Sequence, residues 1–155
     1  MNTEHKMASK LFVDGASRGN PGPSGAGIYL ECGLDNSVKR GYYLGKKTNN
    51  EAEYLALLIG LFVAKKYSNT SLMYVYSDSL LLVKQMQGEY RVKKPELQKL
   101  YALVKDASAS LTCIFTHVFR EQNQEADRLA NYGVDKKIML PDSFISLLKT
   151  YEIYI

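Results

Sequence analysis

Four acidic residues stand at positions where surface charges are uncommon. Asp14 and Asp78 each close an apolar, strand-like run, whereas Glu53 and Asp127 lie in segments with the apolar pattern of helices. Taken singly, a carboxylate at a strand end is more often a turn former. Four of them together would form a cluster that stays ionised only where positive charge neutralises it. Because these hard oxygen donors have no histidine–cysteine set beside them, they favour Mg²⁺ or Mn²⁺ over zinc.

The elements that would position these side chains follow from the spacing of apolar residues and from turn chemistry. Strands are predicted at 10–14, 25–32, 38–44, 72–77 and 111–117, and helices at 50–66, 79–87, 95–107 and 121–134. Asn49 or Asn50 would cap the first helix, and 15–25 is rich in turn formers. This order predicts an α/β fold with a five-stranded mixed sheet flanked by helices, in which three antiparallel N-terminal strands precede two parallel strands.

Length and composition indicate one globular domain. The 155 residues are 46% apolar and 23% charged, and the net charge of +4 suits a polyanionic partner without requiring one. We divide the chain into a polar segment at 1–9, a domain at 10–141, and an apolar, aromatic extension at 142–155 that docks as a helix or a strand. Without a membrane-length apolar run or a signal-peptide pattern, a cytoplasmic location with no membrane partner is expected. Cys32 and Cys113 are expected to be buried free thiols.

Four stretches of the chain resemble the signatures of the type 1 ribonuclease H family, also called ribonuclease HI. They read D-G-A-S-R-G-N-P-G-P from Asp14, T-N-N-E-A-E up to Glu53, Y-S-D-S around Asp78, and H-V-F-R-E-Q-N-Q-E-A-D up to Asp127. They occur in the family's order, so 10–141 would be a ribonuclease H domain with a ribonuclease H-like fold. The resemblance implies an endonuclease that hydrolyses the RNA strand of RNA–DNA hybrids and leaves 5′-phosphate and 3′-hydroxyl ends.

The resemblance also assigns the metal ligands. The family's four catalytic carboxylates fall on Asp14, Glu53, Asp78 and Asp127, which would hold two Mg²⁺ ions per site, with Mn²⁺ as a substitute. Glu51 is a rival for the helix position, but residues two apart on a helix differ by about 200° of rotation, so the two cannot face one metal. The family spacing Asn-Asn-x-x-Glu selects Glu53 and leaves Glu51 as a charge that suits the helix N-terminus.

His117 is a further catalytic candidate. A lone histidine at a strand end is usually structural or solvated. This one lies ten residues before Asp127, where the family often has a mobile histidine that assists proton transfer or product release. Because the side chain titrates near neutral pH, it suits that accessory role.

The resemblance also implies how a hybrid would be bound. Reading RNA means contacting 2′-hydroxyls in a wide, shallow minor groove, for which amide side chains that donate and accept are suited. The residues assigned to this contact are Asn20, Asn49, Asn50, Ser17 and Arg18. A phosphate pocket for the DNA strand would draw on Thr48, Ser79 and Lys94.

The chain departs from many bacterial members in its grip on the DNA strand. Only 87–95 separates two predicted helices, which leaves no room for the basic helical protrusion, and the sequence contains no tryptophan. Arg91, Lys93, Lys94 and Tyr90 would compensate. The chain therefore resembles the compact, protrusion-free branch, some of whose members also cut double-stranded RNA, and we expect a monomer with that side activity.

Three other interpretations remain. A ribonuclease H-like module that binds nucleic acid without cutting would be indicated by the loss of a carboxylate, and all four are present. Another nuclease of the superfamily would share the acidic residues but not the N-P-G-P turn with the Asn-Asn pair. A purely structural α/β protein would have to carry four such motifs by accident.

Overall fold

The computed structural model describes residues 8–33 and 35–155, which form five strands and five α-helices. The strands are β1 Ser9–Ser17, β2 Gly22–Glu31, β3 Ser37–Lys47, β4 Leu72–Ser77 and β5 Thr112–His117. The helices are α1 Asn49–Tyr67, α2 Leu80–Met86, α3 Pro95–Ser108, α4 Gln124–Lys136 and α5 Asp142–Thr150, with a 3₁₀ turn at Arg120–Gln122. Within this part of the chain, no helix combines the length and the apolar character needed to cross a membrane.

The predicted mixed sheet is confirmed. Its order is β3-β2-β1-β4-β5, with β1 antiparallel to β2, β2 antiparallel to β3, and β1, β4 and β5 parallel. Strand β1 runs three residues beyond its predicted end at Asp14, because Gly15–Ser17 pair with Ser24–Ala26 of β2. The turn chemistry of this stretch is therefore confined to 18–21, and the strand pairing extends up to the carboxylate and past it.

Helix α1 packs on one face of the sheet. Leu11 and Val13 of β1 and Ile28 and Leu30 of β2 are fully buried, and they alternate with residues on the opposite face, as the two-residue period of a strand requires. The helix is buried on most sides because it also contacts α3. Burying each Leu or Ile side chain contributes about 1.5–3 kcal/mol, so this face stabilises the domain and holds α1 against the sheet.

Helix α4 crosses the other face at very short range. A Cβ added at Gly25, Gly27 or Gly41 would overlap backbone carbonyl atoms of α4, so these glycines permit a close approach that no other residue would allow. The helix predicted at 121–134 is thus split into a 3₁₀ turn and α4. The buried Asn123 stands between them, and its amide donates to the carbonyl oxygen of Val13 at 2.9 Å.

The C-terminal extension forms a helix. Phe144 and Leu148 of α5 are buried, and the Phe144 ring meets Phe62 of α1 edge-on at 5.6 Å between centroids. Beyond it, Lys47 Nζ donates to the carbonyl oxygen of Tyr154 at 2.5 Å. The choice between helix and strand that the sequence left open is therefore settled by packing against α1.

Both cysteines are free thiols, as predicted. Cys32 and Cys113 are partly rather than fully buried, and burial raises the pKa of each thiol above its usual value.

Candidate active site

Three of the predicted carboxylates meet just beyond the point where the parallel pairing of β1 and β4 ends. Asp14 lies near the end of β1 and Asp78 directly follows β4, and because these strands are parallel neighbours the two residues lie at one edge of the sheet. Glu53 comes from α1, one turn after the helix begins at Asn49. One carboxylate oxygen from each of these three residues lies within 4.8 Å of the others.

Backbone contacts hold Glu53 in this cluster. The N–H of Gly15 donates to Glu53 Oε1 at 2.6 Å. A side chain at Gly15 would collide with the backbone of Ala52 and Glu53, so the glycine lets the start of α1 touch β1. The carboxylate is therefore fixed by an approach of two elements and not by side-chain packing alone.

The cluster carries more negative charge than its surroundings stabilise. Asp14 is 5% exposed, and its pKa is raised well above the usual carboxyl range, first by burial and then by the charges of Glu53, Asp78 and Asp127. The pKa of Glu53 is also raised by burial and by the other carboxylates, against the lowering effect of the Gly15 N–H. A divalent cation would relieve this repulsion, and these convergent hard oxygens fit Mg²⁺ or Mn²⁺.

Asp127 reaches the site from α4 and is not part of the set of three. It lines the same cleft, and the side-chain amide of Asn131 donates to its carbonyl oxygen at 3.0 Å and to Oδ1 at 3.4 Å. The Oδ1 of Asn131 accepts from Arg18 Nη2 at 3.2 Å, and Arg18 pairs with Asp135 at 2.7 Å. The orientation of the Asp127 carboxylate thus depends on contacts with other side chains.

A cleft of about 500 Å³ surrounds the carboxylates. Eight of the predicted site residues line it: Asp14, Glu53, Asp78, Asp127, His117, Ser17, Arg18 and Asn49. The other five predicted residues lie outside the lining: Asn20, Asn50, Thr48, Ser79 and Lys94.

Asn49 and Asn50 face two different cavities. Asn49 lines the cleft, and its backbone N–H donates to Asn20 Oδ1 at 2.9 Å, which ties the β1–β2 turn to the start of α1. Asn50 lines a second groove of about 480 Å³, together with Lys94. The side chains of Tyr90, Arg91 and Lys93 line this basic groove as well. The two adjacent asparagines at the N-terminus of α1 therefore line different cavities, one an acidic cleft and the other a basic groove.

The helix cap predicted at Asn49 or Asn50 is instead Thr48. Its Oγ1 accepts from the N–H of Glu51 at 3.2 Å, and Glu51 Oε1 accepts from the N–H of Thr48 at 3.0 Å, a reciprocal capping box. Both asparagines lie inside the helix because Thr48 takes the extended backbone that a cap requires. Ser79 caps α2 through its hydroxyl, which accepts from the N–H of Leu82 at 3.2 Å. Both hydroxyls keep their proton free to donate.

His117 lies at the end of β5, beside the cluster. Its Nε2 is 3.3 Å from the backbone oxygen of Asp78, and its ring meets Phe119 edge-on at 5.8 Å. The parallel pairing of β4 and β5 puts His117 opposite Ser77, the residue that precedes Asp78. The histidine therefore reaches the same cleft from a third strand.

Six further residues that line the cleft were not predicted as site residues, and three of them carry large or polar side chains: Asn131, Phe119 and Arg120. Asn131 follows Asp127 by four residues, so helical spacing could have placed it beside the carboxylate. Phe119 is 69% exposed at the mouth of the cleft. No periodic pattern could have identified it, because the loop that carries it has no repeating geometry.

Known proteins are similar to this chain in sequence over most of its length. The family model described as "Reverse transcriptase-like" matches residues 12–133. The ribonuclease H of Legionella pneumophila is 32% identical over 146 residues, covering 84% of this chain and 99% of that protein. A bifunctional protein of Mycobacterium tuberculosis is 41% identical over 132 residues, and the match covers 83% of this chain but only 36% of that protein. Ribonuclease HI of Halobacterium salinarum is 36% identical over 126 residues, and the match covers 80% of this chain and 63% of that protein.

Solved structures show the same fold. RNase H1 from Halobacterium salinarum superposes with a TM-score of 0.78 at 34% identity, covering 83% of this chain and 98% of that one. LC11-RNase H1, solved in complex with an RNA/DNA hybrid, superposes with a TM-score of 0.75 at 36% identity. The superposition covers 83% of this chain and 97% of that one.

Proposed function

Because the chain belongs to the ribonuclease H family, we propose that it is an endonuclease that hydrolyses the RNA strand of RNA–DNA hybrids. The observation that carries the proposal is the convergence of Asp14, Glu53 and Asp78 in one open cleft that Asp127 also lines. A non-catalytic module would have no use for a charge cluster that costs stability without a cation. The hybrid in the LC11-RNase H1 structure supports the choice of substrate.

The four carboxylates would hold two Mg²⁺ ions, with Mn²⁺ as a substitute. Ions held by these carboxylates would supply an activated water and charge stabilisation for the departing 3′ oxygen, so the products would carry 5′-phosphate and 3′-hydroxyl ends. The contribution of the protein is rigidity: Gly15 orients Glu53, and the parallel strands hold Asp14 and Asp78 at one edge. His117, whose Nε2 lies beside the backbone oxygen of Asp78, would assist proton transfer in the cleft.

The two cavities suggest a path for each strand of the hybrid. The RNA strand would lie in the acidic cleft, where Asn49, Ser17 and Arg18 can meet 2′-hydroxyls and phosphates. The DNA strand would lie along the basic groove, where Lys94 and its neighbours attract phosphates. Thr48 and Ser79, which retain a free hydroxyl proton, would donate to the same strand.

The basic groove would attract phosphates without contacting the sugars, so a second RNA strand could bind there in place of the DNA strand. We therefore include a side activity on double-stranded RNA in the proposal. We also propose that the protein acts as a monomer, because the residues assigned to catalysis already converge in one cleft.

A cleavage assay on end-labelled duplexes tests the proposal. The protein is incubated with an RNA–DNA hybrid, duplex DNA and duplex RNA, each with Mg²⁺, with Mn²⁺ and with EDTA. We expect cutting of the hybrid's RNA strand with both ions, weaker cutting of duplex RNA, and none in EDTA. Cutting of the hybrid's DNA strand, or undiminished cutting in EDTA, would overturn it. Binding of the hybrid without any cleavage would favour the non-catalytic module.

A further inference from the structure

Asp127 differs from the other carboxylates in what holds it. Asp14 and Asp78 are fixed by neighbouring strands and Glu53 by the N–H of Gly15, whereas Asp127 projects from a helix on the opposite face of the sheet. Its side chain accepts a hydrogen bond from Asn131 Nδ2 at 3.4 Å. The same amide nitrogen donates to the backbone oxygen of Asp127.

The chemistry of its two neighbours fixes the orientation of the Asn131 amide. Arg18 can only donate, so it requires the amide oxygen, and an ionised Asp127 can only accept, so it requires the amide nitrogen. A reversed amide would break both hydrogen bonds at once. Arg18 is itself anchored by Asp135, one helical turn beyond Asn131.

We propose that Asn131 is a positioning residue that holds the carboxylate of Asp127 ready for a metal ion, with Arg18 setting the orientation of the amide. This inference rests on the metal site of the proposed function. Residues that orient metal ligands from behind typically change metal affinity or activity by about 10- to 100-fold when they are removed. Since Arg18 belongs to the turn between β1 and β2, its hydrogen bond to Asn131 also links that turn to the metal site.

Calorimetric titration of the intact protein with Mn²⁺ tests the inference without relying on cleavage. We expect Asn131→Ala to weaken Mn²⁺ binding by about 10-fold, at the lower end of that range. Arg128→Gln is the matched control: it lies on the same helix, removes an exposed ion pair with Glu125, and should leave the affinity unchanged within about twofold. Thermal melts in EDTA establish that each variant is folded.

A double-mutant cycle with Asp127→Ala separates positioning from a general structural effect. If Asn131 acts through Asp127, adding Asn131→Ala to Asp127→Ala should change the Mn²⁺ affinity no further. The same loss in both backgrounds, or no loss in the single variant, would overturn the proposal. Arg18→Met should weaken Mn²⁺ binding by roughly 2- to 5-fold through the freed amide, and an unchanged affinity would remove Arg18 from the inference.

The outcome is distinguishable from failure of the proposed function. Should the wild-type protein bind Mn²⁺ but cut no hybrid, the nuclease proposal fails, while the effect of Asn131→Ala on Mn²⁺ affinity still decides this one. Should the protein cut the hybrid, Asn131→Ala is expected to require a higher Mg²⁺ concentration for half-maximal rate, with an unchanged KM for the hybrid at saturating Mg²⁺.

Discussion

The acidic cleft and the basic groove have nearly the same size, about 500 and 480 Å³, but they are built in opposite ways. The carboxylates of the cleft come from two parallel strands and two helices, each fixed by the core. The basic side chains of the groove come largely from the irregular segment between α2 and α3. Chemistry that depends on tenths of an ångström is placed on rigid elements, and electrostatic attraction, which falls off slowly with distance, is placed on a loop.

The loop of the groove is nevertheless anchored. Tyr54 of α1 donates to Gln85 Oε1 at 2.6 Å, and Gln85 Nε2 donates to the carbonyl oxygen of Arg91 at 3.1 Å. From the other side, Gln98 Nε2 donates to the carbonyl oxygen of Val92 at 3.0 Å. These bonds fix the backbone and leave the cationic side chains free, which suits a surface that follows phosphates. The comparison therefore predicts abrupt losses in the cleft and graded losses in the groove.

The largest effect is expected for Asp14→Asn. Removing the most buried carboxylate should lower hybrid cleavage at least about 1,000-fold, because metal-supported catalysis supplies several kcal/mol of the barrier reduction. The same change should raise the melting temperature in EDTA, because it removes repulsion within the cluster. A variant that lost both activity and stability would contradict this view of the cleft.

Glu53→Gln and Glu51→Gln form a matched pair one step lower in effect. Glu53→Gln should reduce the cleavage rate by about 100-fold or more, because the neutral amide is a poor ligand for a hard cation. Glu51→Gln should keep the rate within about twofold, since glutamine also completes a capping box. The two rates are measured at saturating Mg²⁺, and an inactive Glu51→Gln would show that the wrong helix position had been assigned.

Neutralising the groove should give a graded loss. In an Asp14→Asn background, the double change Lys93→Gln and Lys94→Gln should weaken hybrid binding several-fold at low salt and flatten its dependence on salt concentration. For each phosphate that the protein no longer neutralises, the logarithmic slope should fall by about 0.9. Fluorescence anisotropy over a range of KCl concentrations measures the slope. Exposed Lys136→Gln on α4 is the control, and an unchanged slope in the double variant would exclude the groove from binding.

The smallest effect is a shift in melting temperature with pH. The folded pKa values of Asp14 and Glu53 are raised, so both states are protonated at low pH, and the unfolded chain ionises first as the pH rises above about 4. The metal-free protein should therefore lose stability as the pH rises from that range toward the raised folded values. Mg²⁺, which we expect to bind the ionised cluster, should raise the melting temperature more at pH 8 than at pH 5, by a few degrees. Equal shifts at both values would contradict the raised pKa values.

Most of the fold and the identity of the carboxylates could be predicted because they depend on local patterns. Alternating apolar residues define β1 and β4 and place Asp14 near the end of β1 and Asp78 just after β4. The rotation of a helix shows that Glu51 and Glu53 cannot face the same metal, and the resemblance to the family then selects Glu53. The boundary of β1 was wrong because its last residues pair with β2, a pairing that nothing in their own composition reveals. The cap at Thr48 was missed because three neighbouring polar residues were all competent to serve.

By itself, then, the sequence indicated the four carboxylates, the mixed sheet that carries two of them, and the family to which the chain belongs, since each rests on residues close together in the chain. The tertiary structure alone decided that Asn49 and Asn50 face different cavities, that the C-terminal extension is a helix packed on α1, and that Asn131 connects Asp127 to Arg18. Those features depend on segments far apart in the chain meeting in space, as Arg18 and Asn131 do at a separation of 113 residues. No local pattern encodes such a meeting, because it is the packing of the whole core that brings the two segments together.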